Sequence, residues 1–449
     1  MARDKVRYVC TNCGEASLSW AGKCPQCGAW NTLQEEVVVQ RAGSAVAGTP
    51  SGRALQVSPI GGLITRDQQR IVTGIADVDT VLGGGIVRGS VNLIAGQPGI
   101  GKSTLLLQLA NTIAKTHRVL YVSGEESGHQ IGLRAKRLSA TTKTLQLATT
   151  NSADDIATTI EGGAYDFVIV DSIQTIATSL VASAAGSVGQ ITNSAHLLIN
   201  AAKGSGTAVM LVGHVTKEGM IAGPKVLEHV VDVVLQLEGD RYGGFKILRA
   251  TKNRFGPTTE AGIFEMDDAG LRPVDNPSAA LLAERQVSDG SIVLATMEGT
   301  RPLLVEVQAL VNKTSYGYPK RAASGIDLNR VNLLVAMLER RTKLSLAEQD
   351  IYINIVGGIK ITEPAADLAV CMAIGSAAKG LQLKANAVVF GELGLSGEVR
   401  HVPHIEKRIA EAKKLGFDAA IGPLQRGGKK TSFLHSVPDI RSALNQFLD

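Results

Sequence analysis

The chain has 449 residues, 44% of them hydrophobic, and Lys plus Arg outnumber Asp plus Glu by 46 to 41. That length and apolar content point to a globular protein of two or three domains. The mild basic excess permits nucleic-acid binding without demanding it. No apolar core of signal-peptide length opens the chain and no run of 18 apolar residues could span a bilayer, so a cytoplasmic protein without membrane contact is expected.

In chain order, four of the five cysteines fall within the first 27 residues. Cys10-x2-Cys13 and Cys24-x2-Cys27 set two thiolate pairs on two turns, the spacing that offers Zn2+ four tetrahedral ligands. Gly14 and Gly28 follow the second cysteine of each pair, where glycine allows a tight turn with its amide toward the thiolate sulfur. So small a module, residues 1–35, has too little to bury, and the metal must supply its folding energy. Residues 36–70, rich in Gly, Ser and Ala, read as a linker.

From 71 to 272, the strand-like runs SVNLIAG, RVLYVSG, DFVIVDS and TAVMLVGH alternate with helical patterns such as STLLLQLANTIAK. Nearly uninterrupted apolar strands belong in a parallel sheet covered on both faces, so a three-layer α/β domain is expected. After Val230 the runs VVDVVLQLEG, GGFKILRATKNRFG and GIFEMDDAG predict antiparallel strands that extend the sheet. Residues 285–449 mix strands (SIVLATMEG, LLVEVQALV, IYINIVGG) with helices (DLAVCMAIGSAAKG, HIEKRIAEAKKLGF), an α+β domain with its own core. Cys371, alone in an apolar helix, reads as a buried packing residue.

Gly96-Gln97-Pro98-Gly99-Ile100-Gly101-Lys102-Ser103 matches the P-loop pattern between a predicted strand and a predicted helix. Its glycines let backbone amides wrap phosphates, and the helix N-terminus beneath adds partial positive charge. The expected ligand is ATP with Mg2+: Lys102 reaches the β- and γ-phosphates and Ser103 ligates the metal, with Thr104 a weaker substitute. Asp171 ends the apolar run 167–170, where a carboxylate holds Mg2+. Glu125 and Glu126 follow another buried strand, and either can polarise an attacking water; Glu125 is preferred.

These residues, together with TGIADVDTVLGGGIVRGSVNLIAGQPGIGKSTLLLQLA, YVSGEES, Lys252-Asn253-Arg254-Phe255-Gly256 and the four-cysteine start, resemble the bacterial RadA (Sms) family of DNA repair proteins over essentially the whole chain. The wider kinship is with RecA and with DnaB-type hexameric helicases. The resemblance implies a RecA-like core with an N-terminal C4 zinc finger and a C-terminal Lon-protease-like domain. It also implies a homo-hexameric ring that drives branch migration on single-stranded and branched DNA, alongside a RecA-type recombinase. Lys252 and Arg254, spaced i and i+2 on a strand, share a face and would act as piston and arginine finger on a neighbour's ATP. His214 stands where relatives keep a γ-phosphate sensor.

By analogy with the loops lining a RecA-like channel, residues 181–193 and 217–225 are candidates for backbone contact to DNA, without an aromatic for base stacking. In the Lon-like region the Ser of the Lon motif is replaced by Ala365 and its Lys by Glu406, so no protease is expected. Lys320, Arg321, Lys407, Arg408, Lys413, Lys414, Arg426, Lys429 and Lys430 would form a basic surface suited to duplex DNA. The alternative to a motor is a nucleotide-switched DNA-binding ring in which hydrolysis only resets binding.

Overall fold

The computed structural model describes residues 5–17, 19–38, 70–214, 226–239, 244–315, 317–425 and 431–448. The 217–225 loop, most of the 36–70 linker, and Arg426, Lys429 and Lys430 lie outside the described residues. Two compact units divide the chain: Met1–Glu238 with Leu248–Thr258 and Met266–Leu271, and Gly239–Ile247 with Thr259–Glu265 and Arg272–Asp449.

The N-terminal ribbon is a three-stranded antiparallel sheet of β1 (Lys5–Cys10), β2 (Ala16–Ser17) and β3 (Leu33–Val38), with β1 in the middle. Its buried cluster is little more than Cys10, Cys24 and Leu33, far too small to fold a module by burial alone.

The larger sheet begins with α1 (Ala76–Leu82), β4 (Val91–Gly96), α2 (Lys102–Ile113), β5 (Val119–Ser123), α3 (Gly128–Arg137), β6 (Leu145–Thr149) and α4 (Ala153–Glu161). It continues through β7 (Phe167–Asp171), α5 (Val188–Ser205), β8 (Ala208–His214), α6 (Val226–Val230), β9 (Val233–Gly239), β10 (Lys246–Asn253), β11 (Ala261–Asp267) and β12 (Gly270–Pro273). The strand order is β12-β11-β10-β9-β4-β8-β7-β5-β6. Every residue of β4, β5 and β7 is buried, whereas β6, at the edge, is largely exposed, as helices on both faces require. Strand β8 lies between β4 and β7, the inserted strand that marks the RecA-like arrangement of a P-loop sheet.

One expectation is corrected. The first run after Val230 is β9, and it pairs parallel to β4, because α6 intervenes between β8 and β9 and a crossover of this kind returns the chain in the same direction. Serines fix the helix starts: Ser127 forms a capping box with Gln130, and Ser152 and Ser187 accept from Asp155 and Gln190 amides. Residues 188–193, expected as loop, are the first turns of α5, and the buried Gln190 side chain is a brace. It donates to the carbonyls of Thr178, Val181 and Ser183 and accepts from the Thr178 amide.

The second unit adds α7 (Pro277–Leu282), β13 (Ser291–Glu298), β14 (Arg301–Lys313), β15 (Arg321–Ser324), α8 (Leu328–Thr342), β16 (Gln349–Ile355) and α9 (Asp367–Lys379). It closes with β17 (Ala387–Val389), the hairpin β18 (Glu392–Leu393) and β19 (Val399–Arg400), α10 (Ile405–Lys414), β20 (Ala419–Gly422), β21 (Leu434–Ser436) and α11 (Ile440–Phe447). Its mixed sheet runs β15-β16-β14-β13-β17-β20-β21. Helix α9 is buried from Asp367 to Ser376, Cys371 included, so it is the central helix of this core.

Arg408, read from sequence as part of a basic surface, is instead fully buried. Its guanidinium makes a two-pronged pair with Glu363 and donates to the carbonyls of Ala295 and Pro403. Glu363 also accepts from the Met297 amide and the Thr296 hydroxyl. Removing one member leaves a buried charge without its counterion, at a cost of about 3–5 kcal/mol. Arg408→Ala is therefore expected to lower the unfolding transition of the second unit by that order in calorimetry, while Lys413→Ala, on an exposed position of the same helix, leaves it in place.

Candidate nucleotide and zinc sites

The P-loop turns between β4 and α2 on glycines with positive φ, Gly99 at 79° and Gly101 at 114°. Gly96 is needed for a different reason: a Cβ there would meet the Leu237 carbonyl at 2.6 Å. Ile100 is buried and anchors the loop in the core, so it holds the backbone and does not line the cleft. Lys102 is only 4% exposed, and its ammonium donates to the carbonyls of Gly96 at 2.8 Å and Gln97 at 3.1 Å. Burial pulls its pKa from the ordinary 10.5 down to about 8, against the opposing pull of Asp171 and Glu125.

A cleft of about 440 Å³ opens over this loop, lined by Pro98, Gly99, Gly101, Lys102, Ser103 and Thr104 from the P-loop side. Ser123, Glu125, Glu126, Arg134, Arg137, Asp171, His214 and Met266 complete it. Its volume suits a nucleotide-sized ligand. Of the residues expected at this site, Lys102, Ser103, Thr104, Glu125, Asp171 and His214 converge here. Gly96 and Gln97 contribute through the carbonyls that hold Lys102. Arg134, Arg137, Ser123 and Met266 were not legible beforehand, since only folding brings α3 and β11 to the P-loop.

Each acid has a distinct setting. Asp171, at the end of β7 and 6% exposed, accepts a 2.6 Å bond from the Tyr121 hydroxyl. Burial first, then the Asp171 charge, pushes the Tyr121 phenol far upward, so it stays a donor. Glu126 is bound on both oxygens by Arg134, at 2.7 and 2.6 Å. Glu125 keeps an accessible carboxylate whose nearest partner is His214 Nε2 at 3.4 Å. The hydroxyl of Ser103 and the Asp171 carboxylate offer hard oxygen donors in one cleft, a set that fits Mg2+.

Lys252 and Arg254 do not line the cleft. Lys252, on β10, donates to the carbonyls of Glu228, His229 and Val231 at the end of α6. Arg254, one residue beyond β10 and half exposed, pairs with Asp232 at 3.1 Å. Between them Asn253 bonds to the Val81 and Leu82 carbonyls, and the Phe255 carbonyl accepts from Arg70. The motif thus alternates anchoring residues with two cations.

In the ribbon, the four sulfurs of Cys10, Cys13, Cys24 and Cys27 lie within 4.8 Å of one another. The Cys10–Cys27 and Cys13–Cys24 separations are 3.7 and 3.6 Å. A tetrahedron with Zn–S near 2.3 Å puts its sulfurs about 3.8 Å apart, so the set fits Zn2+. Thr32 Oγ1 lies 3.2 Å from Cys10 Sγ, and the Asn12 amide faces Cys27 Sγ at 3.6 Å, outer contacts that orient the ligands. Gly14 and Gly28 take positive φ as expected. Their amides, however, donate to the Cys10 and Cys24 carbonyls and not to sulfur, because each closes a tight turn.

An AAA-domain family matches residues 63–220, a rubredoxin metal-binding-domain family residues 8–35, and a family described as subunit ChlI of Mg-chelatase residues 327–426. The chain is 49% identical to the DNA repair protein RadA of Brucella abortus, over 94% of this chain and 92% of that one. Identity is 48% to the protein of that name from Bacillus subtilis (94% and 93% covered) and 47% to that from Pseudomonas aeruginosa (96% and 95% covered).

Two outcomes test the sites. Cys24→Ser is expected to drop bound zinc from about one ion per chain to a small fraction, read by metal analysis. For Lys102, the unfolded chain holds the more protons between pH 8 and 10.5, so nucleotide-free stability rises through that window. Lys102→Met should therefore melt higher than the parent at pH 7, with the gap closing toward pH 10 in a thermal scan.

Proposed function

The chain belongs to the RadA family of DNA repair proteins, and on that premise we propose that it is an ATP-driven DNA motor acting as a branch-migration helicase on recombination intermediates. It has a RecA-like ATPase core, a zinc ribbon and a Lon-protease-like C-terminal region. We assign these functions to residues 71–272, 1–35 and 285–449, respectively. The observation that carries the reading is the division of charges: Lys102, Glu125 and Asp171 share one cleft, whereas Lys252 and Arg254 stand outside it. Lys102, Arg134 and Arg137 line the cleft, but Lys252 and Arg254 do not, and cations placed so can complete the site of a neighbouring subunit, which supports a ring, taken here as a hexamer.

In this mechanism Lys102 leaves the Gly96 and Gln97 carbonyls to meet the β- and γ-phosphates of ATP. Ser103 and Asp171 would hold Mg2+, which would neutralise phosphate charge when bound. Glu125, the acid not tied to Arg134, accepts the proton of the attacking water, and His214 beside it senses the γ-phosphate. Arg254 from the neighbour stabilises charge in the transition state. Lys252 grips the end of α6, so its movement toward a neighbour's nucleotide would free that helix end and couple hydrolysis to DNA. Residues 181–187 and 217–225 contact single-stranded and branched DNA through the backbone. A RecA-type recombinase is the expected partner, and the cytoplasm, where such intermediates form, the expected place of action. With Ala365, buried, and Glu406, exposed, at the two Lon positions, those positions carry neither the serine nucleophile nor the lysine base of that protease, and no proteolysis is expected.

ATP hydrolysis by the purified protein should rise on addition of single-stranded DNA, and Lys102→Ala should reduce it to background. Arg254→Ala should lower turnover by roughly 10³-fold or more. Mixing those two inactive variants is expected to restore part of the activity, because a Lys102→Ala subunit still lends Arg254 to an intact cleft next door. No recovery in mixed rings would place the finger within its own chain. Unidirectional strand exchange that needs Lys102 separates the motor from a nucleotide-switched ring.

A further inference from the structure

Both tryptophans of the chain lie in the zinc ribbon, and both are exposed, Trp20 at 60% and Trp30 at 70%. Folding does not explain them, since the ribbon's buried cluster uses neither. Two large apolar rings held in water on so small a module mark a binding surface.

The second cysteine turn sets their positions. Lys23 and Trp30 pair as an antiparallel bridge, the Cys24 amide donates to the Ala29 carbonyl, and the Asn31 amide donates to the Gly22 carbonyl. Gly22 lies beside both rings: a methyl group on its α-carbon would stand 3.8 Å from Trp30 Cζ3 and 3.9 Å from Trp20 Cη2. Those two ring atoms are thus at most 7.7 Å apart, the sum of the two distances. Gly22 is not among the glycines with positive φ, so its conformation does not require glycine. A longer side chain there would crowd both indoles. The Lys23 ammonium sits over the Trp30 ring, 5.7 Å from its centroid, bringing positive charge beside the aromatic pair.

We propose that Trp20, Trp30 and Gly22 form a stacking slot for one nucleobase of single-stranded DNA, with Lys23 against the adjoining phosphate. The proposal rests on the DNA-binding reading above. Such a slot takes any base, because every base has a π-face, and it admits only bases already unpaired. It gives the ribbon a way to engage the single-stranded arm of a branched substrate, a contact the aromatic-free 181–187 segment cannot make.

The chain has no other tryptophan, so indole emission from the full-length, zinc-loaded protein reports this slot alone. Oligo-dT is titrated while tryptophan emission and the anisotropy of a labelled oligo-dT are followed together. The expected result is saturable quenching that tracks the anisotropy. Trp20→Ala or Trp30→Ala should each weaken binding roughly 5- to 150-fold, Gly22→Leu should do so by filling the slot, and Trp30→Phe should retain most of the affinity. Zinc content equal to the parent's shows that each ribbon is folded. Oligo-dT binding with unchanged tryptophan emission, or alanine variants at parental affinity, overturns the slot and leaves the DNA reading standing. Absence of any anisotropy change overturns both. Emission that responds only to an added RecA-type recombinase assigns the face to a protein and overturns the base-stacking proposal.

Discussion

The ammonium of Lys102, taken out of water at the head of a buried parallel sheet, is the constraint around which the nucleotide site is arranged. Burial disfavours its charge strongly enough to bring its pKa to about 8, and two carbonyls of its own loop are its direct partners. Those carbonyls point inward only because Gly99 and Gly101 accept positive φ and Gly96 lets the chain pass close to Leu237. A cation held this way is poorly satisfied without an anion. A polyanionic phosphate chain is the natural complement, since its charge offsets the cost of burying the ammonium.

The surrounding acids are kept apart in role by their hydrogen bonds. Tyr121 fixes Asp171, Arg134 occupies both oxygens of Glu126, and Glu125 is left with an exposed carboxylate beside His214. Three carboxylates in one cleft would otherwise repel one another and any phosphate. Pairing one with a guanidinium and another with a phenol lowers that repulsion and leaves Glu125, beside His214, as the exposed acid of the three. The same economy shapes the KNRFG run: Asn253 and the Phe255 carbonyl tie the strand end to α1 and Arg70, so the cations on either side of Asn253 are presented from a rigid base.

Polar groups elsewhere serve the fold. Arg408 and Glu363 neutralise each other inside the C-terminal core, and Asp367 is held by Arg330 and the Leu393 amide. The ribbon solves the opposite problem, having almost nothing to bury, by gathering four sulfurs at tetrahedral spacing. Its second cysteine turn then fixes Lys23 against Trp30, so the metal that folds the module also positions its exposed aromatics.

The P-loop, the cysteine ligands and the strands β4, β5 and β7 were legible in the sequence because each depends on local rules: fixed spacing, glycine at positive φ, or apolar runs buried on both faces. The RadA kinship followed from those same runs. Charge and composition could not reveal that Arg408 is buried, that Gln190 braces a loop, or that Glu126 is held by Arg134 while Glu125 faces His214. Each depends on a partner distant in sequence or on a helix angle no spacing encodes. The direction of β9 was misread for the same reason, since a parallel partner is chosen by the crossover before it. The sequence by itself determined which residues could bind phosphate and zinc. Only the tertiary structure decided which charges were neutralised inside the chain and which were left to act, because that depends on long-range contacts and desolvation.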